Sequence, residues 1–333
     1  MLSSKLLLTI CLTLLFACTS AYMAEQPAMA SWQDNSSSQR LKAFVTNVSN
    51  ESSNQFVAPA DRIAVFDNDG TLWAEQPAYF QLYFALDQIK AMAAADPALT
   101  QQWQDKPLYK AALSGDLKAI AGYGEKGLLE LVETSHSGMT IDQFEQSVTD
   151  WLSKTTHPTT GKLYTEMVYQ PMLELLDYLR ANDFRIYIVS GGGIDFIRPW
   201  AENVYGIAKE NVIGSRISIK YEYLDGKPVI MRKPELDFID DKAGKPVAIH
   251  QFIGKRPILA VGNSDGDLQM LEWTATNVKP SLNVYIHHTD AVREWAYDSD
   301  SHIGKLKQGL IDAKKNNWLV VDMKNDWLRI FPH

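Results

Sequence analysis

At 333 residues, with 46% hydrophobic and 22% charged side chains, the chain has the size and composition of one or two globular domains with a large core. Its formal charge of -8 argues against a general nucleic-acid surface, which needs a basic stripe, but leaves room for a locally positive pocket that takes a small anion. The two cysteines, Cys11 and Cys18, both fall in the N-terminal segment, which excludes a disulfide or a thiolate zinc site in the rest of the chain.

The first segment reads as an export signal over residues 1–30. Lys5 leads into LLLTICLTLLFAC, an apolar run of signal-peptide length that is too short for a spanning helix. Two processing sites compete. Leu15-Phe16-Ala17-Cys18 is similar to a bacterial lipobox and would make Cys18 a lipidated first residue, whereas Ala28-Met29-Ala30 is an ordinary A-x-A site. The expectation is an exported chain, periplasmic or anchored to the outer membrane, that meets the membrane only through a lipid at Cys18. Residues 31–58, rich in Ser, Asn and Gln, read as a tether with one helix near Leu41 to Val48.

The fold proper is expected from residue 59. Ile63-Ala64-Val65-Phe66 reads as a strand covered on both faces, the kind found in parallel sheets. It ends in Asp67-Asn68-Asp69-Gly70-Thr71, which alone reads as either a turn or a site. From Gln76 to about Trp151 apolar residues recur at helical spacing, and Pro97, Pro107, Gly115, Gly122, Gly124, Gly127 and Gly138 cut the stretch into short helices. A helical insertion is therefore expected over 76–164, with its many aromatics mostly in its core. The α/β pattern resumes with a helix in MLELLDYLRANDF, a strand in RIYIVSGGG that ends in Ser190 and three glycines, and a helix interrupted by Pro199. A hairpin turning at Asp225-Gly226 follows, then a short helix, a third buried strand ending in GNSDGD, and a fourth strand, LNVYIHH. His287 and His288 lack a third ligand at useful spacing and read as surface residues; the C-terminal segment with Trp318 and Trp327 reads as structural.

The expected fold is thus α/β: a doubly wound parallel sheet formed by 59–75 and 165–333, with a helical cap inserted after the first strand. In such a sheet the carboxyl ends of the strands share one edge, so Asp67 and Asp69, Ser190, and Asn263, Asp265 and Asp267 converge on one crevice.

The motifs DNDGT (67–71), VSGGG (189–193), a lysine within DDKAGKP (240–246) and GNSDGD (262–267) occur in that order. The set resembles the haloacid dehalogenase superfamily, and within it the phosphoserine phosphatase-like branch, from about Ile63 to Ile286. The resemblance implies a phosphomonoesterase for small phosphorylated metabolites, with no nucleic acid and no obligate protein partner. Asp67 would attack phosphorus and form an aspartyl-phosphate, while Asp69 would protonate the leaving oxygen and then activate water. Thr71 and Ser190 would hold phosphate oxygens, and Gly191 and Gly192 would present backbone donors at a helix N-terminus. Paired carboxylates facing a phosphate need a cation, and Mg²⁺ held by Asp67, Asp69, Asn263 and Asp267 is expected.

A lysine would neutralise developing charge. Lys245, at a helix start, is preferred over Lys242, and Lys233 is expected as a surface charge of the hairpin. Many relatives carry Asp where this chain has Asn263. An amide oxygen still ligates Mg²⁺ but with less charge, unless Asp265 or Asp267 compensates, so a catalytically weak or inactive phosphate-ligand-binding lipoprotein of the same fold stays open as the alternative, as does a phosphotransferase. Trp73 and Glu75 follow the nucleophile closely and are candidate substrate residues. Glu75 either contacts a substrate amine, as an acidic residue near this position does in phosphoserine phosphatases, or caps a helix. Exported members of the branch include phosphorylcholine phosphatases, for which an aromatic cage would suit a quaternary ammonium.

Overall fold

The computed structural model describes residues 29–332. The apolar run, Cys11, Cys18 and the lipobox lie outside the described residues.

Eight strands make one sheet: β1 (Ile63–Phe66), β2 (Arg185–Gly193), β3 (Val212–Leu224), β4 (Lys227–Phe238), β5 (Leu259–Gly262), β6 (Leu282–Thr289), β7 (Ala296–Tyr297) and β8 (Leu319–Asp322). Their order is β4-β3-β2-β1-β5-β6-β7, with β8 also paired to β6. The central pairings are parallel, and only β3–β4 and β6–β7 run antiparallel. Every residue of β1 and β5 is buried, as a strand covered by helices on both faces requires. The chain steps from β1 outward through β2 and β3, then returns to β5 beside β1 and continues outward through β6. The strand order therefore reverses at the β1/β5 boundary, and there the carboxyl ends open a crevice. Phe66 is in register with both Ile188 and Val261, so Asp67 follows β1 beside Val189-Ser190 of β2 and Gly262 of β5, with Asn263 next along the chain.

Of the seven α-helices between β1 and β2, the first six form the inserted layer: α2 (Phe80–Ala95), α3 (Pro97–Gln104), α4 (Pro107–Ser114), α5 (Leu117–Ala121), α6 (Gly124–His136) and α7 (Ile141–Leu152), numbered after α1 described below. Pro97 and Pro107 open α3 and α4, where a missing N–H costs nothing, and Gly115 at φ +72° closes α4. Leu86, Ile89, Trp103, Leu108, Ala112 and Leu131 form a core of their own within this layer. Phe80, Phe84, Phe144 and Trp151 instead join the main core with Trp73 and Phe196. The inner face of the helical layer is thus sealed onto the sheet domain by aromatic packing.

The remaining helices are α8 (Gln170–Ala181), α9 (Ile194–Tyr205), α10 (Gly244–Ile253), α11 (Leu268–Ala275), α12 (Gln308–Asn316) and α13 (Met323–Asp326). Pro199 does not interrupt α9; the helix runs through it, because Phe196, Ile197, Trp200 and Ala201 are buried and their packing outweighs the local preference. The β3–β4 hairpin turns at Asp225 and Gly226, both at positive φ, as a two-residue hairpin loop requires. Its far part leaves the sheet and meets the helical layer, where Arg232 N–H donates to the Met139 carbonyl at 2.9 Å.

Residues 31–58 are not a tether. They contain α1 (Ser36–Ser49), whose N-cap Asn35 accepts from the Ser37 and Ser38 N–H groups. Leu41, Val45 and Val48, an i, i+4, i+7 stripe, are fully buried. Trp32 packs edge-on against Trp327 with centroids 5.8 Å apart, and its indole N–H donates to the Pro171 carbonyl at 2.8 Å. Gln39, Thr46 and Asn47, among the polar residues that suggest a linker, lie on the solvent face of a docked helix, while Ser37 and Ser38 are buried at its start. Among the described residues no helix is long and apolar enough to cross a membrane.

Candidate active site

The turn after β1 is built around the Asn68 carbonyl, which accepts from the N–H groups of Thr71 and Leu72 at 3.2 and 2.8 Å. Gly70 sits at φ +76°, and a Cβ there would overlap the side chains of Asn263 and Glu75, so both the backbone angle and the space demand glycine. This turn presents Asp67 and Asp69 on one side of the crevice.

Lys245, in the first turn of α10, is buried with 2% of its side chain exposed. Its Nζ donates to Asp67 Oδ1 at 2.6 Å, Asp267 Oδ1 at 2.6 Å and the Val189 carbonyl at 2.8 Å. Burial works against the ammonium, yet Asp267 and Asp67 outweigh it and hold Lys245 well above the ordinary lysine range. Burial and the Asp267 charge push the Asp67 carboxyl up, and Lys245 opposes them. Lys242 is exposed and pairs with its neighbour Asp241, and Lys233 pairs with Glu222 on the hairpin. Of the three candidate lysines, Lys245 is the one brought to the Asp pair.

Asp69 accepts from the Trp73 indole N–H at 3.0 Å. Burial pushes its carboxyl up, with hydrogen bonds from Trp73 and Ser190 among the groups opposing that. Ser190 Oγ, fully buried, accepts from the Gly192 N–H at 3.0 Å, and the Gly193 N–H donates to Gln81 Oε1 at 2.7 Å. The three glycines belong to the end of β2 and lead into α9, so the helix itself starts at Ile194 rather than at Gly191. Gln81 and His136, 3.1 Å apart, come from the helical layer, and no pattern in the sequence marks either as a site residue. Arg232 ties the same region together: it pairs with Asp195 in the first turn of α9, donates to the His136 carbonyl and lies over the Phe144 ring.

Several expected roles change. Asp267 does not present free oxygens to a metal: Oδ1 accepts from Lys245, and Oδ2 accepts from the N–H groups of Asn263 and Ser264 at 3.0 Å each. It holds the lysine. Asp265 turns to the C-terminal segment, accepting from the N–H groups of Lys307 and Gly309. Thr71 is fully buried and its hydroxyl donates to Asn263 Oδ1 at 3.1 Å, which removes it from the phosphate. Trp73 is buried and stacked on Trp200 at 4.3 Å, so it is not the wall of a cage for a quaternary ammonium. Glu75 caps no helix, since α2 starts after Tyr79; it is 2% exposed and accepts from Asn263 Nδ2 at 2.7 Å and the Tyr297 hydroxyl at 2.8 Å. Burial pushes its carboxyl well up. His288 is not on the surface: its ring lies 2.8 Å from the Gly70 carbonyl and 3.1 Å from Glu294, behind the turn.

Residues 64–272, more than half of the chain, match the family of haloacid dehalogenase-like hydrolases. The chain belongs to that family. Its fold is similar to that of a conserved protein of unknown function from Anaerococcus prevotii DSM 20548, at 15% identity and a TM-score of 0.53, over 89% of this chain and 94% of the other. A protein of unknown function from Bordetella pertussis Tohama I matches at 15% identity and a TM-score of 0.47, covering 79% and 99% of the two chains. A phosphoserine phosphohydrolase-like protein from Francisella tularensis subsp. tularensis SCHU S4 matches at 18% and 0.39, covering 78% and 94%. These likenesses speak to the fold alone. No curated protein matches the chain.

The donors this haloacid dehalogenase-like hydrolase offers a metal are all oxygens. Among the described residues no group of three His, Cys, Asp or Glu side chains is arranged to ligate an ion. The set at the crevice is instead the Asp67 carboxylate, the main-chain carbonyl of Asp69 and the Asn263 amide, a hard-donor set that fits Mg²⁺ when water or substrate completes the shell. Asp67, Asp69, Asp267 and Glu75 outnumber the single ammonium of Lys245, a surplus of acidic groups that also suits a dication.

Proposed function

We propose that this hydrolase is a Mg²⁺-dependent phosphomonoesterase that works on small phosphate esters through an aspartyl-phosphate. The observation that carries the reading is the buried contact of Lys245 with Asp67 at 2.6 Å, beside Asp69, at the point where the strand order reverses. The Lys245 ammonium opposes the burial that pushes Asp67 up and so favours the carboxylate that a nucleophile needs.

Asp67 attacks phosphorus, forming the new P–O bond as the bond to the leaving alcohol breaks. Asp69, whose burial favours the protonated carboxyl, gives its proton to the leaving oxygen; as a carboxylate it then takes a proton from the water that cleaves the aspartyl-phosphate. Lys245 offsets negative charge at Asp67 throughout, and Ser190 and Gly192 lie beside Asp69, although the Gly192 and Gly193 N–H groups are taken by Ser190 Oγ and Gln81 Oε1 and are not the free donors expected of them. Asp67, Asn263 and the main-chain carbonyl of Asp69 would hold Mg²⁺, which leaves the Asp69 carboxyl to carry its proton and when bound adds positive charge against the phosphate oxygens. Asp67, Thr71, Ser190 and Lys245 are all buried, so a small substrate entering under the helical layer fits better than a folded protein.

The N-terminal apolar run supports placing this activity outside the cytoplasm, with Cys18 as lipid attachment or residues 28–30 as the cleavage site. The test is phosphate release from a panel of small monoesters, with Mg²⁺ and with a chelator, by the wild type and Asp67→Asn. Turnover that needs Mg²⁺ and disappears in the variant is expected. Turnover retained in folded Asp67→Asn would overturn the assignment of the nucleophile.

A further inference from the structure

We propose that Glu75 is a positioning residue that makes Asn263 a competent metal ligand by fixing which end of its amide is oxygen. The inference rests on the Mg²⁺ reading above.

An asparagine amide has two ends of nearly the same shape, one a donor and the other an acceptor, and only its partners decide their direction. Here Glu75 Oε1 receives two donors, Asn263 Nδ2 at 2.7 Å and the Tyr297 hydroxyl at 2.8 Å. An oxygen that accepts twice forces nitrogen onto the near end of the amide and oxygen onto the far end, where Thr71 donates to Oδ1 at 3.1 Å. An amide oxygen has two lone pairs, and the one that Thr71 leaves is what the far end can offer a cation. Reversing the amide would set its oxygen against the carboxyl oxygen of Glu75.

The surroundings are shaped for this contact. Gly70 and Gly304 approach Glu75 at φ +76° and +62°, and a Cβ on either would overlap its Oε1. Tyr297, the second donor, comes from β7, so residues distant in sequence enclose one carboxyl. Among the described residues no lysine or arginine forms an ion pair with Glu75. A substrate amine would need an accessible carboxylate oxygen, whereas Glu75 is 2% exposed and its Oε1 is already occupied. The carboxyl faces the metal ligand instead, and partners of this kind orient ligands and tune their affinity.

The experiment is Mg²⁺ calorimetry on the wild type, Glu75→Gln, Asn263→Asp and the double variant, with melting curves in chelator to separate folding from binding. Glu75→Gln is expected to bind Mg²⁺ about 10- to 100-fold more weakly. In Asn263→Asp both ends of the side chain are oxygen and no amide is left to orient, so adding Glu75→Gln is expected to change Mg²⁺ affinity by less than about threefold, as expected if position 75 acts through position 263. Tyr297→Phe removes one donor from the same oxygen and is expected to weaken binding about threefold, which keeps the question answerable if Glu75→Gln does not fold. Wild-type binding with Glu75→Gln unchanged, or a double variant that falls as far below Asn263→Asp as Glu75→Gln falls below the wild type, would overturn this inference and leave the phosphatase reading standing. A wild type that gives no Mg²⁺ binding would overturn both.

Discussion

Lys245→Met removes the ammonium from between two buried carboxylates and replaces it with a side chain of similar length. The exposures of the three side chains are 2% for Lys245, 10% for Asp67 and 1% for Asp267, so solvent screens little of the loss. Taking one partner from a buried pair costs about 3–5 kcal/mol, because the other charge remains desolvated. Lys245 is held above its ordinary value of 10.5, so its contribution is fully present below that pH and is lost only as pH rises through the higher folded value. Between about pH 5 and pH 8 the wild-type term is therefore flat. In the variant the Asp67 carboxyl, already pushed up by burial and by Asp267, loses the ammonium that opposed this and takes up a proton more readily, which relieves the repulsion. The stability deficit, measured by urea denaturation in chelator, should be largest near pH 8 and shrink toward pH 5. Phosphatase activity should fall about 10²- to 10³-fold. A deficit under about 1 kcal/mol, or one that grows on acidification, would refute the assignment of Lys245 as the buried counter-charge.

Asp69→Asn should lower kcat by about 10²- to 10⁴-fold for alkyl phosphates and less for aryl phosphates, whose leaving groups need little protonation; equal losses on both would rule out the acid role. Leu41→Ala should cost about 2–5 kcal/mol in thermal or urea unfolding if α1 is part of the core, and nothing if residues 31–58 are a tether. Burial pushes the Asp240 carboxyl from 3.8 up to about 7, and neither of its oxygens has a hydrogen-bond partner among the described residues. Its raised value means the wild type loses stability as pH rises toward and through about 7, so Asp240→Asn should flatten that part of the profile; parallel profiles would refute it.

Much of the crevice can be read from local pattern. The run IAVF before DNDGT, and the strands before Ser190 and Asn263, announce buried parallel strands, and sheet geometry then brings their ends together. The helical layer is legible from its spacing and its Pro and Gly breaks, because those residues act on their own backbone. Lys245 follows from its place at a helix start. At residues 31–58 the helix near Leu41 to Val48 is legible, but abundant Ser and Asn suggest a tether where that helix docks on the core. His288 had a signal that pair spacing overrode: it ends a strand whose residues are nearly all buried.

The roles within the crevice needed tertiary structure. Glu75 and Asn263 are 188 positions apart, and Tyr297 reaches Glu75 across 222. Gln81 and His136 meet Gly193 from the helical layer. Asp267 could be read as a ligand until its oxygens were seen taken by Lys245 and two backbone N–H groups. Sequence by itself determined the α/β class, the family motifs and the strand ends where chemistry collects, because hydrophobic period and turn chemistry act over a few residues. Which carboxyl holds a lysine, which orients an amide and which is left to react depended on contacts made only when β5, β6 and β7 close beside β1, and no local pattern encodes those.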